Sequence, residues 1–208
     1  MPRDVNAPRT IYLAHGDPDQ RIILRTLLES LGHEVPVVTD NGHHFIEKAI
    51  NRPADILIAS PRLADMDGIE TLIRIGEIRP TPSILVSRSD DLEKVERAME
   101  DHVMAYLVEP VTAEVLMPSI YLCQRRFEHF ERLQEKIGRL RRSLEERRVI
   151  ERAKLVLMQA REISEADAHI FLQKTATAKR KRLADIAAAV VDASDLLAPQ
   201  EEHRESEI

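Results

Sequence analysis

The sequence predicts an α/β domain with an all-α region behind it, and three observations carry that prediction. Five short apolar runs alternate with amphipathic stretches over the first 115 residues. Residues 119–160 then hold no proline and one glycine, Gly138, and read as a single long charged helix. Its last turns and two short stretches beyond it repeat small apolar residues at helical spacing around what would be one small core.

The apolar runs at 11–14, 35–38, 56–59, 84–86 and 105–108 read as buried strands. Between them, 18–31, 42–50, 68–78 and 91–99 have the spacing of helices, and Gly32, Pro53, Pro80, Pro82 and Pro110 mark the joints. Such alternation implies a parallel sheet covered on both faces. Pro36 has no N–H for a ladder, so the second strand belongs at an edge, which agrees with the doubly wound order 2-1-3-4-5. A fifth helix starts at 111–117, and Pro118 is expected to interrupt or kink it.

In the long helix, Phe130, Leu133, Ile137, Leu140 and Leu144 repeat in alternating steps of three and four, the period of a coiled-coil seam. So narrow a stripe needs a partner, and a homodimer is the expectation. The stripe meets Arg147 and Arg148 and stops. The following helices are read as ending near Arg161, running from Ser164 to about Ala178, and taking Leu183–Leu197. Ser164 followed by Asp167 gives the second a capping-box-like start. The division expected is therefore an α/β domain over 8–118, a coiled-coil linker over 119–147, a helical module over 148–198 and a disordered acidic tail over 199–208.

Charge is unevenly spread. Residues 1–124 carry a net −8, residues 125–183 a net +8 and residues 184–208 a net −6. A basic segment between acidic ones suits a nucleic-acid surface, although a long exposed helix rich in Arg and Glu would also look basic. Cys123 is the one cysteine, so no internal disulfide forms and a reducing cytoplasm is expected. The N-terminus lacks a signal-peptide run, no window is apolar enough for a membrane span, and no membrane contact is expected.

The first 115 residues resemble the receiver domain of response regulators. The matching pieces are Asp17-Pro18, Met66-Asp67-Gly68, Ser87 and Tyr106 with Glu109-Pro110. The resemblance implies a flavodoxin-like fold and a phosphorylation site at the strand ends. Its chemistry is missing here. Ser60 stands where the family has its phosphoacceptor aspartate. The acidic pair that holds Mg²⁺ reads Gly16-Asp17, and Glu109 replaces the lysine that neutralises the phosphoryl group. A carboxylate there would repel a phosphoryl group. His15, Asp17, Ser60, Ser87 and Glu109 should nevertheless meet at the strand ends. A hydrogen-bonded pair of His15 with Glu109 or with Asp17 could stand in for the metal; alternatively, these are drifted polar residues on a solvated rim. The expectation is a pseudo-receiver with no catalytic residue, no metal and no cofactor.

The module after the coiled coil resembles the ANTAR domain, an RNA-binding module of antiterminators. Arg152-Ala153-Lys154, Leu157-Met158-Gln159, Ser164, Ala168, Leu172, Ala176 and Leu183 with Ile186-Ala187 carry the likeness. Leu155 departs from the family's usual glycine and Thr177 from its usual methionine. The whole order resembles the class of antitermination regulators found with aliphatic amidase operons. Candidate RNA contacts are Arg148, Arg152, Lys154, Gln159, Arg161, Lys174 and the run Lys179, Arg180, Lys181 and Arg182. Phe171 is assigned to the core, so loop bases would be met by arginine planes and amides. The resemblance implies a dimer that binds paired hairpins in a leader mRNA and stops a terminator from forming. Its control would come from a ligand-sensing repressor protein rather than phosphorylation. Two alternatives remain: a DNA-binding response regulator, disfavoured because 183–197 is apolar and acidic for a groove reader, and a protein-interaction scaffold.

Overall fold

The computed structural model describes residues 7–88 and 103–197. The expected helix at 91–99 and the acidic tail at 199–208 lie outside the described residues. The chain divides into two compact units, Met1–Arg132 and Leu133–Ile208.

The first unit is built on a five-stranded sheet in the order β2-β1-β3-β4-β5, with every pairing parallel. The strands are β1 (Thr10–Ala14), β2 (Glu34–Thr39), β3 (Ile56–Ala59), β4 (Ser83–Ser87) and β5 (Val103–Val108). β2 lies at an edge, as Pro36 requires. Thr10 pairs with Glu34 but Tyr12 with Val37, so the strand carries one extra residue where the proline sits.

Side-chain alternation splits the core between the two faces. Ile11, Leu13, Ile56, Ile58, Ile84 and Val86 point to one face. There they meet Leu24 and Leu28 of α1 (Pro18–Ser30) and Leu116, Ile120 and Cys123 of α4 (Ala113–Arg161). Tyr12, Ala14, Leu57, Ala59 and Leu85 point to the other. They are covered by Phe45 and Ala49 of α2 (Gly42–Asn51) and by Ile69, Leu72 and Ile75 of α3 (Gly68–Ile78). Each helix start has its own acceptor. Asp17 caps α1, with Pro18 in its first turn, Asn41 caps α2 and Asp67 caps α3.

α4 is continuous through Pro118, so the expected interruption is absent. A proline costs one helical bond, and here Leu116 and Ile120 lie fully buried on either side of it. Packing therefore holds the helix together where the local backbone alone would not.

The second unit gathers the end of α4 with α5 (Glu165–Lys179) and α6 (Leu183–Leu197). Ala153 and Leu157, then Ala168, Leu172 and Ala176, then Ile186, Ala187 and Val191 form its buried core. Half of these are alanines, which lets the end of α4 and the two short helices approach closely around little volume. Ser164 caps α5 by accepting from the Asp167 N–H, while the Asp167 carboxylate accepts from the Ser164 hydroxyl at 2.7 Å.

Candidate strand-end pocket and nucleic-acid interface

The loops after β1, β3, β4 and β5 enclose a pocket of about 410 Å³. His15, Gly16, Asp17, Ser60, Ser87 and Glu109 all line it, so the residues expected at the strand ends are brought together. Of the two pairings considered for His15, the one with Glu109 is present: Nε2 lies 2.9 Å from Oε1, and both side chains are 5% exposed. The Asp17 backbone N–H donates to His15 Nδ1 at 3.1 Å, so Nδ1 accepts and Nε2 carries the proton donated to Glu109.

The remaining carboxylate, Asp17, is committed twice. Its Oδ1 accepts from the Asp19 and Gln20 amides as the α1 cap, and its Oδ2 takes a bond from Arg88 at 2.5 Å. The Gln20 amide, then the Asp19 amide and the Arg88 charge, outweigh desolvation and hold the Asp17 carboxyl below its ordinary range. Arg88 also bonds Glu109 Oε2 at 3.1 Å. One guanidinium thus bridges the two carboxylates of the pocket. The sequence reading missed Arg88, whose only signal was its place directly after Ser87 at the end of β4.

Ser60 is equally engaged. Its hydroxyl donates to the Arg62 carbonyl at 2.8 Å and accepts from the Gly16 N–H at 3.1 Å. The chain leaves β3 so tightly that a Cβ on Gly16 would stand 2.4 Å from the Arg62 oxygen, and one on Gly68 1.8 Å from the Ser60 oxygen. Among the described residues, no cluster of three or more His, Cys, Asp or Glu could hold a metal ion. The arrangement can hold itself closed by ion pairing; among the described residues it has no unengaged nucleophile beside a base.

In the second unit the ten candidate RNA contacts fall into two groups. Lys154 is 8% exposed, its ammonium 2.6 Å from both Glu151 and Glu165. The bond it donates to Glu151, then that to Glu165, raises its pKa. Arg152 pairs with Asp195 of α6, and Arg182 with Glu146 of α4. These three tie helices together. Arg148, Gln159, Lys174, Lys179, Arg180 and Lys181 are exposed and in no ion pair among the described residues. Arg161 is exposed too, and its guanidinium lies 4.1 Å from the centre of the Phe171 ring.

Arg180 ends α5 in the left-handed region, at φ 51° and ψ 40°. Its N–H donates to the Thr177 oxygen and that of Lys181 to the Ala176 oxygen, a Schellman-type turn. Phe171, assigned to the core, is half-buried and packs against the buried cluster. Ala168, Leu172 and Ala176 form the buried row of α5, and Phe171 stands one position off it.

The seam residues Leu133, Ile137, Leu140 and Leu144 of α4 are 42–58% exposed. No helix of the described residues is long and apolar enough to cross a membrane.

Comparison with known proteins agrees with this geometry. The transcriptional regulatory protein PdtaR of Mycobacterium tuberculosis is 29% identical over 189 residues, covering 91% of this chain and 92% of PdtaR. The receiver domain of a modulated diguanylate cyclase from Desulfovibrio desulfuricans G20 is 29% identical with a TM-score of 0.55, over 59% of this chain and 98% of that one. A CheY-like receiver from Methanospirillum hungatei JF-1 shares the fold at 22% identity and a TM-score of 0.54, over 59% of this chain and 98% of its own. The response regulator receiver domain matches residues 11–121 and the ANTAR domain residues 138–191, so the chain belongs to the response regulators, with a receiver domain followed by an ANTAR domain.

Proposed function

We propose that this protein is an RNA-binding antitermination regulator that acts in the cytoplasm. Its ANTAR domain binds paired hairpins in a leader mRNA and prevents the terminator from forming. The observation that carries this reading is the joint between α5 and α6. Lys179, Arg180 and Lys181 stand exposed there, and Schellman-type bonds hold the turn. A fixed basic turn meets phosphates without first losing much conformational freedom. The ANTAR match and the transcriptional role in the name of the mycobacterial relative support the same assignment.

The dimer forms along the exposed stripe of α4, and the receiver is governed by a ligand-sensing partner protein rather than by phosphorylation. The engaged Ser60 hydroxyl and the carboxylates spanned by Arg88 support that mode of control. The deciding measurement is affinity for an RNA with two adjacent hairpins against a promoter duplex of equal length. Tight, salt-dependent RNA binding with weaker duplex binding is expected, and the reverse order would overturn the assignment. Acetyl phosphate with Mg²⁺ should leave the intact mass of the protein unchanged.

A further inference from the structure

The ANTAR domain carries a groove that the basic joint does not account for. It measures about 760 Å³, and α4, α5 and α6 each supply a wall. Leu157, Ile186 and Val190 line its apolar part, and Phe171, Arg161 and Lys179 line it beside them. A volume of this order is within the range of clefts that take small molecules.

Phe171 packs against the core of the domain and also lines the groove. The buried row of α5 is complete with Ala168, Leu172 and Ala176, and the aromatic ring is left half-buried on the groove. Arg161 lies 4.1 Å over that ring, exposed, and in no ion pair among the described residues. An aromatic ring and a guanidinium beside each other on one groove are the side-chain types on which unpaired bases stack.

We infer that this groove takes one unpaired nucleobase of the RNA, stacked against Phe171 and Arg161, with its phosphate at Lys179. The inference rests on the RNA-binding reading and names the part of the RNA that the groove reads. Charge decides the occupant. An apolar peptide segment would cover the hydrophobic part but strip water from Arg161 and Lys179 without pairing them, which is costly. A nucleotide satisfies both parts, since its base is flat and its phosphate anionic. Ser194, at the same groove, presents a hydroxyl that can donate to or accept from a base edge.

The test uses full-length protein and a two-hairpin RNA carrying 2-aminopurine at each loop position in turn. With wild-type protein, fluorescence at one loop position should be quenched on binding. Phe171→Leu should abolish that quenching and weaken binding by roughly tenfold or more. Its slope of log affinity against log salt should stay unchanged, because no phosphate contact is lost. Phe171→Tyr should restore both signals, which separates stacking from a folding defect. Lys179→Ala should instead lower the slope by about 0.7–0.9. Wild-type binding with no quenched position, or with Phe171→Leu binding equally well, overturns the inference and leaves the RNA reading standing. Absence of any RNA binding by the wild type overturns both. Self-association that depends on Phe171, with RNA affinity untouched, would assign the groove to a second copy.

Discussion

A Cβ at Gly16 would stand 2.4 Å from the Arg62 carbonyl oxygen, so the loop after β3 already occupies the space that an acidic side chain would need there. The strand-end pocket is therefore more than a receiver site with residues subtracted. Arg88 now supplies the positive charge between Asp17 and Glu109, and a neutral His15 donates to the same Glu109. Gly16→Ala should cost about 1–3 kcal/mol through overpacking against backbone that cannot swing aside. Urea unfolding checks this, with Gly138→Ala as the control. Gly138 has nothing within 4 Å and sits inside α4, so that change should stabilise by roughly 0.5–1 kcal/mol. The departures from the receiver pattern were legible in the sequence, because Ser60 stands eight residues before Gly68, Glu109 directly before Pro110 and Gly16 directly before Asp17-Pro18. The compensation was not. A single arginine after a strand looks like any surface charge until four strand ends meet.

At the level of elements, Lys154 and Lys179 look alike in sequence, each a cation in a basic helical segment. Packing separates them. Lys154 emerges from the buried side of α4 and reaches Glu165 in the first turn of α5, so it fastens one helix to the next. Lys179 closes α5 at the exposed joint. Lys154→Ala should therefore lower the melting temperature of the ANTAR domain while leaving the salt slope of RNA binding nearly unchanged. Lys179→Ala should do the opposite. Equal effects on both measurements from both changes would mean that the ion pair to Glu165 opens when RNA binds. The helices themselves were readable, since the apolar period and the Ser164 cap fix where they run. Which cations remain free was not, because helical spacing does not say what a neighbouring helix brings opposite each one. That Phe171 packs on the core yet also lines the groove was hidden for the same reason: periodicity marks an apolar face but does not separate its centre from its edge.

For the whole molecule, the question is what an exposed apolar stripe on a long helix is for. Leu133, Ile137, Leu140 and Leu144 leave roughly half of each side chain in water, in the spacing that two helices bury against each other. A lone stripe of that kind is an unfavourable surface, and a second copy laid along it would cover it. If the dimer presents two ANTAR domains to two hairpins, the second contact becomes intramolecular, and avidity adds roughly 10²–10⁴ without any new contact. Ile137→Asp combined with Leu140→Asp places charges within the stripe and should convert the protein to a monomer by sedimentation. Affinity for a two-hairpin RNA should then fall by about 100-fold, within that avidity range, while affinity for a single hairpin holds. Equal losses on both RNAs would show that the stripe supports the folding of the ANTAR domain rather than its pairing. A dimer that survives the double change would place the contact elsewhere on the chain.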